Sequence, residues 1–229
     1  MNVYFLVEGK HTERKLYPLW LSYAVPQLKR VNSPADASEN SYYLVSAEGY
    51  PSIIGKILTD SIQDIEDTKK FDVFVVVLDA DERSVQERIN EVTHAVEQSK
   101  IKLQSARLEV IVQNRCIETW LLGNRKIFIR QPQDDKLNQF IAHYDIALYD
   151  PELMPLFSGF NSHGQFHKEY VKSIFKERSI SYAPHNPGQA GEQSYFEQLQ
   201  KRVDETNHIQ SFARFLQLCE RFANRQALP

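Results

Sequence analysis

The sequence has few cysteines and no long apolar run, and these absences exclude several classes of protein. Cys116 and Cys219 are the only cysteines in 229 residues, too few and too dispersed for a disulfide framework or a zinc site. No apolar run approaches the ~18 residues that a transmembrane helix requires. The start, Met1-Asn2-Val3, has neither the basic stretch nor the cleavage site of a signal peptide. We therefore expect a cytoplasmic protein with two free thiols and no membrane contact.

The chain also lacks the excess of positive charge that is typical of proteins coating nucleic acids. Its formal net charge is −3. The charges are uneven, because acids concentrate in residues 60–82 whereas basic residues cluster in residues 10–30 and 168–178. A bound metal ion would neutralise part of an acidic site. The net charge therefore leaves a nucleic-acid partner open.

Two short apolar runs, each followed by acids, are the most informative pattern in the chain. Val3–Val7 precedes Glu8, and the run at residues 73–78 precedes Asp79 and Asp81. Such runs are typical of strands buried on both faces of a parallel sheet, whose carboxyl ends carry the chemistry of α/β proteins. Crowded carboxylates repel one another, so the pattern predicts a site for Mg²⁺, with Mn²⁺ as a second candidate. The alternative is that these acids only cap helices at strand ends.

The segments that follow the two strands each open a helix. They are Val7-Glu8-Gly9-Lys10-His11-Thr12-Glu13 and Val77-Leu78-Asp79-Ala80-Asp81-Glu82-Arg83. This pair of motifs, in this order, resembles the TOPRIM domain of topoisomerases, primases, small maturation nucleases, OLD-family nucleases and RloB-like proteins of phage defence. The resemblance covers about the first half of the chain. It implies that Glu8, Asp79 and Asp81 bind magnesium and carry catalysis.

An Asp-x-Asp pair after an apolar strand is not specific by itself, since phosphatases with an aspartyl nucleophile and glycosyltransferases also have one. The phosphatase arrangement would place the pair after the first strand. Here a lone Glu8 follows the first strand, and the pair lies near residue 80. The order of the motifs therefore favours the TOPRIM resemblance.

Glu13 and Glu118 are further candidates that depend on the resemblance. Residues 8–13 are similar to the Glu-Gly-x-x-Thr-Glu form of RloB-like proteins, which implies that Glu13 is a metal ligand; OLD-like sequences place this Glu one residue earlier. Glu118 lies in a Glu-x-Trp-Leu-Leu segment that also resembles RloB-like proteins, which implies a general base or a group supporting the metal ligands. The alternatives are a first-turn acid favoured by the helix dipole for Glu13 and an ordinary helix acid for Glu118.

Basic and imidazole side chains supply the candidates for substrate binding. Six of them are expected to contact the substrate: Lys10, Arg83, Arg115, His163, His167 and Lys168. His163 and His167 would share one face of a helix, so a role in metal binding or proton transfer is a further option. Gly164 makes a continuous helix less favourable, and we expect a substrate-facing loop here, with a polar helix start as the alternative.

The pattern of apolar residues predicts an α/β fold, a TOPRIM-like and mostly parallel sheet flanked by helices, followed by a helical C-terminal region. The predicted strands are residues 3–7, 42–46, 73–78 and 108–112. The predicted helices begin near Thr12 and Pro51 and continue with residues 82–100, 134–145, 165–178, 194–204 and 208–224. Pro18 suggests a kink or an early stop in the first helix. We place the domain boundary near residue 125, with a TOPRIM-like domain at 1–125 and the helical region at 126–229.

The motifs predict a magnesium-dependent TOPRIM nuclease that cleaves DNA or RNA phosphodiester bonds. Its setting in bacterial anti-phage defence follows wholly from the resemblance to RloB-like and OLD-like proteins. The alternative is a non-catalytic regulatory subunit that keeps the TOPRIM fold and partners an ATPase. That alternative would explain the acidic balance, whereas the three carboxylates Glu8, Asp79 and Asp81 argue against it.

Overall fold

A five-stranded parallel sheet in the order β2-β3-β1-β4-β5 organises the protein. The computed structural model describes residues 1–183 and 185–224. The strands are β1 Val3–Val7, β2 Lys29–Arg30, β3 Ser41–Ser46, β4 Val73–Asp79 and β5 Arg107–Gln113. All neighbouring strands pair in parallel, so their carboxyl ends lie along one edge of the sheet. The predicted α/β class with a parallel sheet is confirmed.

Helices cover both faces of the sheet and make up the C-terminal region. They are α1 Thr12–Ala24, α2 Lys56–Thr68, α3 Val85–Glu97, α4 Ile117–Leu121, α5 Asp135–His143, α6 His163–Glu177, α7 Gln193–Thr206 and α8 Gln210–Ala223. No helix in the described ranges combines the length and the apolar character needed to cross a bilayer. The predicted helical character of the C-terminal region is confirmed.

Two local predictions are wrong, and one of the two outcomes expected for Pro18, an early stop, is excluded. Pro51 does not begin a helix, because a 3-10 turn at Ser52–Ile54 precedes α2. Pro18 does not end α1, which continues to Ala24; the core packing of the residues that follow it outweighs the backbone hydrogen bond that proline removes. The expected loop at residue 163 is the first turn of α6, where the Ser162 side chain accepts a hydrogen bond from the next turn of backbone.

Alternation along the strands divides the apolar core between the two faces of the sheet. Val3, Phe5 and Val7 point to the face covered by α1 and the C-terminal helices, whereas Tyr4 and Leu6 point to the face covered by α2 and α3. The first core continues through the aromatic side chains of the C-terminal helices as far as α8. It therefore joins residues on both sides of position 125, and the division into two domains stays a prediction.

Candidate functional site

Glu8 and Asp79 lie side by side at the carboxyl ends of β1 and β4. Val7 pairs with Val77 in the register of these two strands. The Glu8 amide donates to the Val77 carbonyl at 2.9 Å, and the Glu8 carboxylate accepts a 3.0 Å hydrogen bond from the Asp79 amide. The two predicted site residues are thus joined through backbone groups, as expected from neighbouring parallel strands.

Glu13 returns to the same place from the first turn of α1. Its side chain is only 6% exposed and lies directly against Gly9, where any Cβ would overlap the Glu13 carboxylate. Burial raises the pKa of Glu13 to about 7, and the negative charges of Glu118 and Glu8 add to the increase against a lowering backbone hydrogen bond. Gly9 therefore provides the space that brings the second glutamate of the motif next to the first.

Asp79 has a carboxylate oxygen without any hydrogen-bond donor in the described part of the chain. Its Oδ1 is buried and accepts no hydrogen bond from any residue that the structure describes. Burial raises the pKa of Asp79 well above its usual range, and Glu13, Glu8 and Glu118 raise it further. Burial also raises the pKa of Glu8, although the Asp79 amide opposes this. We call Glu8, Glu13, Asp79 and Glu118 the carboxylate cluster.

Glu118 enters the carboxylate cluster from α4 and is 8% exposed. Its Oε1 accepts a 3.3 Å hydrogen bond from the hydroxyl of Tyr182. Burial raises the pKa of Tyr182, and the charge of Glu118 raises it further, so this hydroxyl stays a neutral donor. Tyr182 could not be found from the sequence, because 64 residues separate it from Glu118 and no local pattern marks the contact.

Asp81 differs from Asp79 in having a cationic partner. Its backbone has a positive φ of 52°, and its carboxylate accepts a 2.8 Å bond from Arg88. Arg88 is almost fully buried, also binds Glu91 at 2.8 Å and lies over the ring of Tyr50. Arg88 was not among the residues expected at the site, although a charged residue within the apolar stripe of α3 is a usable signal.

The carboxylate cluster has the chemistry of a magnesium site without a complete set of converging ligands. In residues 1–183 and 185–224, no three His, Cys, Asp or Glu side chains meet so that they could hold a metal ion. Two of the expected ligands are engaged elsewhere, because Glu8 accepts a hydrogen bond from a backbone amide and Asp81 forms an ion pair with Arg88. The donors are nevertheless hard oxygens, they repel one another, and Asp79 Oδ1 has no partner. The oxygen chemistry of these side chains is compatible with a divalent cation, but they do not converge as a ligand set, and the metal site stays a prediction.

The two histidines of α6 have different surroundings. His163 is bound to Glu82 through its ring Nδ1 at 2.7 Å and its backbone amide at 2.8 Å. His167 is 0% exposed, and its Nδ1 lies 2.7 Å from the hydroxyl of Thr119. Burial lowers the pKa of His167 to about 3, with further lowering by the charges of His163 and Arg115. His167 is therefore enclosed between α6 and α4 in this structure, which leaves its side chain no surface for a substrate, and its expected role in substrate binding stays a prediction.

The predicted basic residues surround the carboxylate cluster unequally. Lys168 is exposed on α6, and its charge acts to lower the pKa of Glu13 against the dominant effect of burial. Arg115 donates a 2.9 Å bond to the backbone carbonyl of Asp81. Lys10 and Arg83 instead form exposed ion pairs with glutamates outside the cluster, at 3.2 and 3.1 Å. Of these four residues, Lys168 and Arg115 are therefore the better placed to contact a substrate at the carboxylate cluster.

Comparisons of the chain with protein-family models, with curated proteins and with solved structures gave no significant match. The resemblance to TOPRIM domains therefore rests on the sequence motifs. The geometry adds one relation that the motifs left open: the charges of Glu8, Glu13 and Glu118 all raise the pKa of Asp79, and the four residues come from two strand ends and two helices.

Proposed function

We propose that the chain is a magnesium-dependent nuclease of the TOPRIM class that hydrolyses phosphodiester bonds in DNA or RNA. The observation that carries this proposal is the carboxylate cluster at the carboxyl edge of a parallel sheet, with the buried Asp79 Oδ1 lacking a partner. A buried carboxylate without hydrogen bonds destabilises the protein unless something binds it. A divalent cation is the partner that neighbouring carboxylates would favour.

Glu8, Glu13 and Asp79 are the residues that would hold the cation. When bound, magnesium would neutralise charge on the phosphate and promote attack by water. The Tyr182 hydroxyl orients Glu118 by occupying its Oε1, and Glu118 Oε2 is the atom that would take up the proton of the attacking water. Lys168 and Arg115 would bind phosphate oxygens next to the cluster.

The biological setting is the other half of the proposal. The resemblance of the motifs to RloB-like and OLD-like proteins supports a role in anti-phage defence and an ATPase as partner. One observation favours the second candidate, a non-catalytic regulatory subunit. Asp81, expected to bind the metal, is already neutralised by the buried Arg88, and a non-catalytic domain would need no cation there.

Single-turnover cleavage separates the two candidates. The substrates are labelled DNA and RNA, including transfer RNA, with and without magnesium or manganese. Asp79→Asn should abolish cleavage, because the nearly isosteric amide lacks the charge that a hard cation needs. Glu118→Gln should slow cleavage by about 10- to 100-fold if it supports the metal ligands or orients water. Asp60→Asn, on an exposed side chain of α2, makes the same chemical change outside the site and should leave the rate unchanged.

Two results would contradict the nuclease. The first is wild-type activity equal to that of Asp79→Asn, which would indicate a contaminating enzyme. The second is a wild type that binds nucleic acid or an ATPase and cleaves none of the substrates. Either result would favour the regulatory subunit, provided that circular dichroism shows all variants folded.

A further inference from the structure

A second charged feature, of opposite sign, lies at the segment that joins β1 to α1 and at the first turn of α1. It is a surface cavity of about 180 Å³. Its lining residues come from this segment, from α1, from β2 and from the loop before α7: Lys10, His11, Arg14, Lys15, Arg30 and His185. We call it the basic cavity. No carboxylate is among the described residues that line it.

The positive charge of the basic cavity is largely uncompensated. Lys10 has a carboxylate partner, Glu48, at 3.2 Å. Arg14, Lys15 and Arg30 form no ion pair with any residue in the described part of the chain. This concentration of cations contrasts with the net charge of −3 of the whole chain. Side chains of like charge repel when they are held together, so an anion in the cavity would stabilise the arrangement.

Two imidazoles add directional donors to these charges. The rings of His11 and His185 lie 3.9 Å apart, although the residues are distant in sequence. An imidazole donates a hydrogen bond from a ring N–H, and a guanidinium offers a planar fork of donors that matches phosphate oxygens. The basic cavity therefore combines point charges with the donor geometry that phosphate recognition uses.

The basic cavity is separate from the carboxylate cluster. Glu13 and Arg14 are consecutive in α1, and consecutive helical side chains diverge by about 100°. Glu13 is buried toward the cluster while Arg14 is exposed. None of the four carboxylates of the cluster lines the cavity. A ligand of the basic cavity would thus bind beside the proposed catalytic site without occupying it.

We propose that the basic cavity binds a phosphate monoester, carried either by a free mononucleotide or by the end of a nucleic-acid strand. A monoester carries up to two negative charges and three terminal oxygens, whereas an internal phosphodiester carries one charge and two free oxygens. Several uncompensated cations and two imidazoles match the monoester better. This binding needs no metal and no cleavage, so it stands independently of the nuclease proposal.

Binding measurements in EDTA test the inference, because they exclude any contribution from metal at the carboxylate cluster. Calorimetry with inorganic phosphate and a nucleoside 5′-monophosphate measures the free ligands. Fluorescence anisotropy compares oligonucleotides of one sequence with a phosphate at the 5′ end, at the 3′ end or at neither. The variant is Arg14→Gln with Arg30→Gln. The matched control is Lys56→Gln with Lys100→Gln, which removes two exposed positive charges elsewhere.

The Arg14→Gln, Arg30→Gln variant should bind phosphate ligands about 10-fold or more weakly, since each charge-assisted hydrogen bond contributes strongly to affinity. The control should bind as the wild type does. Tighter binding of a phosphorylated oligonucleotide, lost in the variant, would support the strand end as the ligand. Binding of the mononucleotide without this preference would support the free ligand. Failure of the wild type to bind any monoester at millimolar concentration, or equal binding by variant and control, would overturn the inference.

Discussion

Carboxylates are shielded from water in two regions of the molecule, and the two regions supply them with different numbers of hydrogen-bond donors. Near the C-terminal helices, Glu152 accepts hydrogen bonds from the Ser211 amide at 3.0 Å, the Ser211 hydroxyl at 2.5 Å and the Asn114 side chain at 3.4 Å. Trp120 donates to the same Ser211 hydroxyl at 2.6 Å. In the carboxylate cluster, by contrast, Asp79 Oδ1 has no donor among the described residues.

The electrostatic causes of the pKa changes differ in the same way. Burial raises the pKa of Glu152, but the hydrogen bonds from Ser211 and Asn114 oppose it. Burial also raises the pKa of Asp79, but there the neighbouring acids Glu13, Glu8 and Glu118 raise it further. A carboxylate supplied with donors stabilises a fold, whereas a buried carboxylate oxygen without a donor, surrounded by other acids, is typical of a functional site. By this criterion Glu152 stabilises the fold, and Asp79 has the surroundings of a site residue.

The largest effect is expected where the carboxylate is well satisfied. Glu152→Ala leaves the Ser211 amide and hydroxyl without their acceptor, so the free energy of unfolding should fall by about 2 kcal/mol. Urea denaturation measures the change. Glu97→Ala is the matched control, an exposed acid at the end of α3, and should change stability by less than ~0.5 kcal/mol. Equal losses in both variants would show that the hydrogen bonds of Glu152 contribute nothing.

His167 adds a buried group whose protonation opposes folding. Its pKa is about 3 in the folded protein against 6.5 in the unfolded chain, so the unfolded chain takes up the proton first as the pH falls. The stabilisation is complete above pH 6.5 and is lost below it, at about 1.4 kcal/mol per pH unit, or about 2 kcal/mol by pH 5. Denaturation of His167→Asn across this range should lack that component. A variant that keeps the wild-type slope would exclude His167 as its source.

The smallest expected effect is a gain of stability from removing a charge in the carboxylate cluster. The pKa of Glu13 is about 7 in the folded protein against 4.5 in the unfolded chain, so the folded chain keeps its proton to a higher pH than the unfolded chain does. This contribution is present below pH 4.5 and is lost as the pH rises through 7. Glu13→Gln should therefore raise the free energy of unfolding by about 1.4 kcal/mol at pH 5.5 in EDTA, one pH unit above the unfolded pKa, and by almost nothing at about pH 3.5.

Magnesium provides the matching control for that prediction. Ligand binding to the folded state raises stability by mass action, so magnesium should raise the melting temperature of the wild type more than that of Glu13→Gln. Glu97→Gln, which removes an exposed acid, should respond as the wild type does. Equal responses of wild type and Glu13→Gln would remove Glu13 from the metal site. Between pH 4.5 and 6.5, Glu13 makes the free energy of unfolding fall with rising pH, whereas His167 makes it rise. The two effects partly cancel in the wild type, and the single variants separate them.

The central strands of the sheet could be predicted because their signal is local. An apolar run of the length of β1 or β4, ended by acids, is compatible with few structures other than a buried strand. The start of α3 is local as well, since Ser84 and Glu87 form a capping box. The strand β2, by contrast, consists of two residues, Lys29 and Arg30, and both are exposed. It is defined by its pairing with β3, so no apolar pattern in the sequence could have predicted it.

The sequence by itself determined that acids would stand at the ends of two buried strands, because apolar periodicity and chain direction settle that much. Only the tertiary structure decided the partner of each charged group. Arg88 neutralises Asp81, Tyr182 binds Glu118, and His167 is buried against Thr119. The basic cavity likewise joins the start of α1 to a loop near residue 185. Local propensities act over a few residues, whereas packing brings together side chains far apart in the chain, and it is packing that determines burial and charge balance.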